Sequence, residues 1–129
     1  MTILDENIPE DQRQLLRSWR IRARQIGFEV GRPGMKDEEI IPLLHRLEKS
    51  TFFTRDLGFY SSHLRHPRYG LVCLAVSQYE AASFIRRFLH HPEFHTQARR
   101  CGKVVQVNPG GIVFWRLRAD EEERVAWPN

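Results

Sequence analysis

Residues 71–76 form an unbroken run of six apolar side chains, and this run most constrains what the chain can fold into. Six residues are too few for a buried helix but suit a strand covered on both faces, as in the middle of a parallel sheet. Residues 51–54 form a second buried run, which ends at Asp56, and residues 2–4 form a third, which stops at Asp5. The chain is therefore expected to contain several buried parallel strands.

Helical patterns alternate with these strands. Pro9 is suited to a first helical turn, and the helix that it opens is predicted to run to about Ile26 and stop at Gly27. A second helix is expected to begin at Asp37, and a third, opened by an S-x-x-E capping box at Ser77, ends before Pro92. A short strand is expected over 28–30, and an Asn-Pro-Gly-Gly turn joins two strands over 104–107 and 112–117.

This order of elements predicts an α/β sandwich with a mainly parallel central sheet and an antiparallel C-terminal edge hairpin. We expect one domain over residues 1–117, followed by an acidic, flexible tail over 118–129.

Composition excludes several classes of protein. No apolar run approaches the roughly 18–20 residues that span a membrane, and the start of the chain does not resemble a secretory signal, so a cytoplasmic protein is expected. Two cysteines without a C-x-x-C pair argue against a cysteine zinc site. The net charge of +4 favours an anionic partner.

Three acids follow predicted strand ends or open a helix: Asp5, Asp37 and Asp56. In parallel sheets, ligands bind in the crevice at the carboxyl ends of the strands, where these acids could converge. Carboxylates held together repel one another, and a divalent cation such as Mg²⁺ or Mn²⁺ removes that repulsion. Taken singly, each acid could equally serve only as a turn or helix cap.

The same residues resemble a known family. The segments L-D-E-N-I-P at 4–9, D-E-E-I at 37–40 and T-R-D-x-x-F at 54–59 resemble the PIN-like domain, in its minimal branch of toxins from toxin–antitoxin pairs. The resemblance covers about residues 2–116. It implies a PIN-like three-layer sandwich in which Asp5, Asp37 and Asp56 bind the metal, with Glu6 and Glu38 at further acidic positions of the branch.

The resemblance also implies an activity and its partners. It implies a Mg²⁺- or Mn²⁺-dependent ribonuclease that hydrolyses phosphodiester bonds, is inhibited by a cognate antitoxin protein and forms a homodimer. Many members read T-x-D-x-D-F, and Gly58 replaces the second Asp of that pattern here. A degenerate PIN-like module that binds RNA or a protein partner without cleavage therefore remains the alternative. A third possibility is a small α/β domain that acts only through a protein interface.

Basic residues provide candidates for RNA contact. Arg55 lies beside Asp56 and could contact a phosphate. Arg13, Arg17, Arg20 and Arg24 follow one another at helical spacing, which predicts a basic stripe along the first helix. Such a stripe could hold RNA phosphates or could simply be a solvated helix face.

Overall fold

The structure, a computed structural model, describes residues 1–128 and contains one seven-stranded sheet. The strand order is β2-β1-β3-β4-β5-β6-β7. The first five strands in this order are parallel to one another, β6 is antiparallel to β5, and β7 is antiparallel to β6. The strands are β1 (Thr2–Leu4), β2 (Arg24–Gln25), β3 (Ser50–Thr54), β4 (Tyr69–Leu74), β5 (Val104–Asn108), β6 (Gly111–Trp115) and β7 (Glu123–Val125). The predicted α/β class, with a mainly parallel sheet and an antiparallel C-terminal edge, is confirmed.

Helices cover both faces of this sheet. They are α1 (Glu10–Ser18), α2 (Asp37–Arg46), α3 (Ala81–Leu89) and the short α4 (Gln97–Arg100). Successive residues of a strand point to opposite faces, so Phe52 and Phe53 lie in different clusters of the core. The cluster around Phe53 contains residues of α1 and α3, whereas the cluster around Phe52 contains residues of α2. None of the helices in the described chain is long and apolar enough to cross a membrane.

The first helix is shorter than predicted. It ends at Ser18 rather than near Ile26, because Arg20 adopts a left-handed φ of 62°. The Arg20 N–H donates to the Arg17 carbonyl at 2.9 Å, and the Ile21 N–H donates to the Leu16 carbonyl at 2.9 Å. These two bonds form a Schellman closure, in which glycine is the usual left-handed residue. The presence of arginine instead of glycine removed the sequence signal for the helix end.

The second strand also lies elsewhere than predicted. Residues 24 and 25 pair in parallel with Ile3 and Leu4, whereas the segment 28–30 forms a turn with a single bridge between Ile26 and Val30. Side chains alternate between partly buried and exposed along 21–24, which is the period of a strand. The apolar spacing that predicted a helix as far as Ile26 matches this alternation equally well.

A flexible tail was expected over 118–129, but within this segment Glu123–Val125 form a strand of the sheet; Asn129 lies outside the described residues. Strand β7 pairs antiparallel with β6, with Arg124 opposite Val113. The indole N–H of Trp127 donates to the Asn108 carbonyl at 2.8 Å, and its ring packs against the core cluster around Phe53. The run of acids at 120–123 made this segment look solvated, but Val125 and Trp127 both gain burial by pairing with the sheet edge.

Candidate carboxylate site

The three predicted acids, Asp5, Asp37 and Asp56, converge at the carboxyl ends of the parallel strands; we call them the carboxylate site. Asp5 directly follows β1, Asp56 lies two residues after β3, and Asp37 is the first residue of α2. Strands β1 and β3 are neighbours in the sheet, and the Asp5 N–H continues the ladder by donating to the Phe53 carbonyl at 2.9 Å. The topology therefore places residues from three distant parts of the sequence at one edge of the sheet.

Asp5 is the buried member of the site, with only 9% of its surface exposed. One carboxylate oxygen accepts a hydrogen bond from the Thr54 hydroxyl at 2.7 Å, and the other accepts one from the Glu6 N–H at 2.8 Å. Burial raises the pKa of Asp5, and the nearby charges of Asp56 and Glu6 raise it further, against the opposing effect of the two hydrogen bonds. The ionised Asp5 is thus held in a position that costs free energy.

Asp37 and Asp56 interact directly with each other. Asp37 is exposed, yet its pKa is raised, first by partial loss of hydration and then by the nearby charges, of which that of Asp56 has the largest effect and that of Asp5 a smaller one. The charge of Asp56 therefore acts on both Asp5 and Asp37.

Thr54 is the centre of the hydrogen-bond network that positions these acids. Its fully buried hydroxyl donates to Asp5 and accepts from the Asp56 N–H at 2.9 Å and from the Asn7 side-chain amide at 3.2 Å. The Asn7 side-chain oxygen in turn accepts from the Arg55 N–H at 3.1 Å. Thr54 and Asn7 both belong to the segments that resemble the PIN-like domain, but their hydrogen-bond partners are distant in sequence, so the sequence alone indicates no role for either residue.

Glu6 and Glu38 differ in their relation to the site. One Glu6 carboxylate oxygen accepts from the Gly34 N–H at 2.7 Å, so Glu6 anchors the loop over residues 27–34. Glu38 is exposed beside Asp37 on the first turn of α2, where its charge raises the pKa of Asp37. Within residues 1–128, neither the Glu6 nor the Glu38 side chain forms a hydrogen bond with the side chains of the three acids.

Gly58 and Arg55 border Asp56. The Gly58 N–H donates to an Asp56 carboxylate oxygen at 2.8 Å, and a Cβ at position 58 would lie 3.0 Å from that oxygen. An Asp in place of Gly58 would therefore crowd Asp56 in this arrangement. The Nε–H of Arg55 is buried and has no hydrogen-bond partner within residues 1–128.

The chemistry of the donor set fits Mg²⁺ or Mn²⁺, because carboxylate oxygens are the ligands that these cations prefer. However, no three His, Cys, Asp or Glu side chains within residues 1–128 are arranged so that they could hold a metal ion. Asp5 accepts a hydrogen bond from Thr54, and the charge of Asp56 acts on Asp37. An ion bound here would have to draw the carboxylates into a tighter arrangement.

The predicted arginine stripe is not a stripe along one helix. Only Arg13 and Arg17 lie on α1, whereas Arg20 is in the turn after it and Arg24 is on β2. The turn at Arg20 nevertheless brings them together, since all four line one cleft between α1 and the edge of the sheet. Arg13 also forms ion pairs with Glu10 at 3.2 Å and Glu29 at 2.5 Å.

Comparison with known protein families, with curated proteins and with solved structures gives no significant match to this chain. The resemblance to PIN-like domains accordingly stays a prediction that depends on the quoted motifs.

Proposed function

We propose that this chain is a Mg²⁺- or Mn²⁺-dependent ribonuclease with a PIN-like sandwich fold. The observation that carries the proposal is the convergence of Asp5, Asp37 and Asp56 at the strand ends, where loss of hydration and the charge of Asp56 raise the pKa values of Asp5 and Asp37. Perturbed carboxyl groups gathered in the crevice at strand ends are typical of functional sites rather than of three independent caps.

Each residue has a role in this proposal. Asp5, Asp37 and Asp56 hold the cation, and Thr54 fixes the orientation of Asp5 through its hydrogen bond. Arg55 is the phosphate contact, because it follows Thr54 and has an unpartnered buried N–H. When bound, the cation activates a water molecule and neutralises charge on the departing oxygen of the phosphodiester.

The biological setting is part of the same proposal. The chain would be the toxin of a toxin–antitoxin pair, acting in the cytoplasm, inhibited by its antitoxin and present as a homodimer. These assignments come from the family resemblance alone, and they follow only if the ribonuclease activity is found.

The second candidate function is a PIN-like module that binds RNA or a protein without cleavage. Two observations favour it: no three acids of the described chain are arranged to hold an ion, and Gly58 packs where many members of the family carry an acid. This candidate predicts an intact fold and an intact binding surface without any metal-dependent cleavage.

Cleavage of a pool of total RNA by the purified protein separates the two candidates. We expect fragments with Mn²⁺ and none with EDTA or with the Asp5→Asn variant, which keeps the size of the side chain and one oxygen acceptor but loses its charge. Asp120→Asn, an exposed acid outside the site, is the matched control and should cleave as the parent does. Cleavage that survives EDTA or Asp5→Asn would contradict the ribonuclease proposal.

A further inference from the structure

A cleft of about 450 Å³ lies beside the edge strand β2, between it and α1. Five arginines line it: Arg13, Arg17, Arg20, Arg22 and Arg24. Glu10 and Glu29 are the acids in the lining, and both pair with Arg13. The arginine cleft, as we call it, is therefore a concentration of positive charge in which one guanidinium is neutralised by its neighbours.

The other four guanidinium groups have no such neighbours. Arg17, Arg20, Arg22 and Arg24 are exposed, and in residues 1–128 none of their side chains forms an ion pair or a hydrogen bond. Like charges gathered at one place repel one another, and a polyanion relieves that repulsion. Guanidinium groups also match phosphate oxygens in geometry, since they donate two parallel hydrogen bonds.

An exposed aromatic ring lies against Arg13, one of the arginines that line the cleft. Phe28 is 65% exposed, and the guanidinium of Arg13 lies over its ring with Cζ 5.1 Å from the ring centroid. The ring is carried by a tight turn in which the Phe28 N–H donates to the Gln25 carbonyl at 3.1 Å and the Gly27 N–H donates to the Val30 carbonyl at 2.9 Å. An exposed aromatic ring next to arginines is the combination that binds the bases and the phosphates of single-stranded nucleic acid.

The turn that carries Phe28 also adjoins the carboxylate site. Glu6, the residue after Asp5, bonds to the Gly34 N–H in the loop 27–34, and its carboxylate lies against Gly27, 2.9 Å from where a Cβ would stand. The loop is therefore in contact with the arginine cleft through Phe28 and with the neighbour of Asp5 through Gly27.

We propose that the arginine cleft binds single-stranded RNA, with phosphates on Arg17, Arg20, Arg22 and Arg24 and an unpaired base on Phe28. The role of the cleft as a substrate-binding surface rests on the proposed ribonuclease function. The binding of RNA to the cleft can nevertheless be measured without cleavage. An acidic protein segment would use the arginines alone, whereas an unpaired base also uses the Phe28 ring.

The first test measures fluorescence anisotropy of a labelled single-stranded RNA of about 12 nucleotides in EDTA, a length within the usual range of such sites. The variant Arg17→Gln/Arg22→Gln/Arg24→Gln spares Arg20 because of its left-handed backbone. We expect binding about tenfold weaker or more at low salt and a slope of log K against log salt that is lower by about 2. The matched control is Arg46→Gln/Arg99→Gln/Arg118→Gln, which removes three exposed arginines outside the cleft and should bind within about twofold of the parent. Equal losses in both triple variants would overturn the cleft as the site.

The second test addresses the base. Phe28→Ala should weaken single-stranded RNA binding about fivefold or more, and Phe28→Trp should restore it, because base stacking on an aromatic ring needs the ring and not its exact identity. Tyr79→Ala removes another exposed ring, which is 72% exposed and lies outside the cleft, and should have no effect. Unchanged binding in Phe28→Ala, together with displacement of the RNA by a polyglutamate peptide, would overturn the proposal in favour of an acidic protein partner.

The two proposals fail in distinguishable ways. Parent protein that binds RNA through the cleft but never cleaves it contradicts only the ribonuclease proposal. Parent protein that cleaves RNA while the cleft variants bind and cleave as well as it does contradicts only the cleft proposal. A single-stranded DNA of the same sequence shows whether the cleft recognises the 2′-hydroxyl or the backbone and bases alone.

Discussion

The carboxylate site and the arginine cleft hold their charged groups in two different ways. Asp5 is buried, and Thr54 fixes its orientation through a hydrogen bond within a network that also includes Asn7 and Asp56. Four of the cleft arginines are exposed, long side chains that are in contact with solvent and have no fixed partners in the described residues. Groups that act on one atom need fixed geometry, whereas groups that hold a flexible polyanion need only be numerous and near one another.

The two regions are also supported differently by the backbone. Asp5 and Asp56 extend from adjacent strands in the middle of the parallel sheet, so their relative positions are set by the ladder between β1 and β3. The cleft arginines come from a helix end, a left-handed turn and a two-residue edge strand. Substitutions in the carboxylate site are therefore expected to alter stability, and substitutions in the cleft are expected to alter binding.

The largest effect on stability is expected from Thr54→Val. The valine removes the donor to Asp5 and the acceptor for the Asp56 and Asn7 N–H groups, in a fully buried position. Buried groups left without partners cost about 2–3 kcal/mol of the free energy of unfolding, which urea denaturation measures. Thr54→Ser keeps the hydroxyl and is the control, with an expected loss of about 1 kcal/mol for the missing methyl group. If the valine variant were as stable as the serine variant, the network would not support the site.

Metal binding gives the next largest effect. A tenfold excess of Mn²⁺ over its dissociation constant should stabilise the folded protein by about 1.4 kcal/mol, because the unfolded chain has no site. That corresponds to a rise in Tm of roughly 4–7 °C for a chain of this length. Asp56→Asn should abolish the rise, while Asp120→Asn should retain it. A parent protein whose Tm does not respond to Mn²⁺ would remove the carboxylate site as a metal centre and favour the non-cleaving module.

The pH dependence of stability should report the burial of Asp5. Its pKa in the folded state is raised above the ordinary value of 3.8, so the ionised form is the costly one. That cost is present at neutral pH and disappears as the pH falls through the raised pKa toward 3.8. We therefore expect the free energy of unfolding of the parent, measured relative to Asp5→Asn, to increase as the pH is lowered from 7 toward 4. A difference that stays constant or decreases would mean that the Asp5 carboxylate is not destabilised by its surroundings.

The sequence predicted the carboxylate site better than it predicted the arginine cleft. Strand ends in a parallel sheet meet at one edge, so apolar runs that stop at Asp5 and Asp56 were sufficient to place those acids together. No such rule places Thr54 opposite Asp5 and Asn7, because a hydrogen bond between residues 54 and 5 depends on the finished fold.

The errors in the fold have physical causes as well. Leu16, Trp19, Ala23 and Ile26 match helical spacing, but Ile21, Ala23 and their exposed neighbours also match the two-residue period of a strand. Where α1 ends determines which of the two patterns the chain follows. The helix ends just before Arg20, whose left-handed backbone conformation is not indicated by the residue type. In the C-terminal segment, the four acids at 120–123 predicted a solvated tail, whereas Val125 and Trp127 pack against the core cluster around Phe53.

The smallest stability effect is expected at Arg20, and it has the opposite sign. A left-handed backbone costs a residue with a side chain about 1–2 kcal/mol. Glycine avoids this cost, but it loses more conformational entropy on folding, which offsets part of the gain. Arg20→Gly should therefore raise the free energy of unfolding by roughly 0.5–1 kcal/mol, since it relieves the left-handed cost at this position. Arg20→Ala, which keeps the strain, should be no more stable than the parent.

The same Arg20→Gly variant should bind single-stranded RNA less tightly, because it removes one of the four unpaired guanidinium groups of the cleft. A protein that is more stable but binds less well would mean that arginine occupies this helix end at the expense of stability. Such a cost is expected where a residue serves a function rather than the fold. If Arg20→Gly gained stability and lost no affinity, Arg20 would have no part in the cleft, and the phosphate contacts would reduce to Arg17, Arg22 and Arg24.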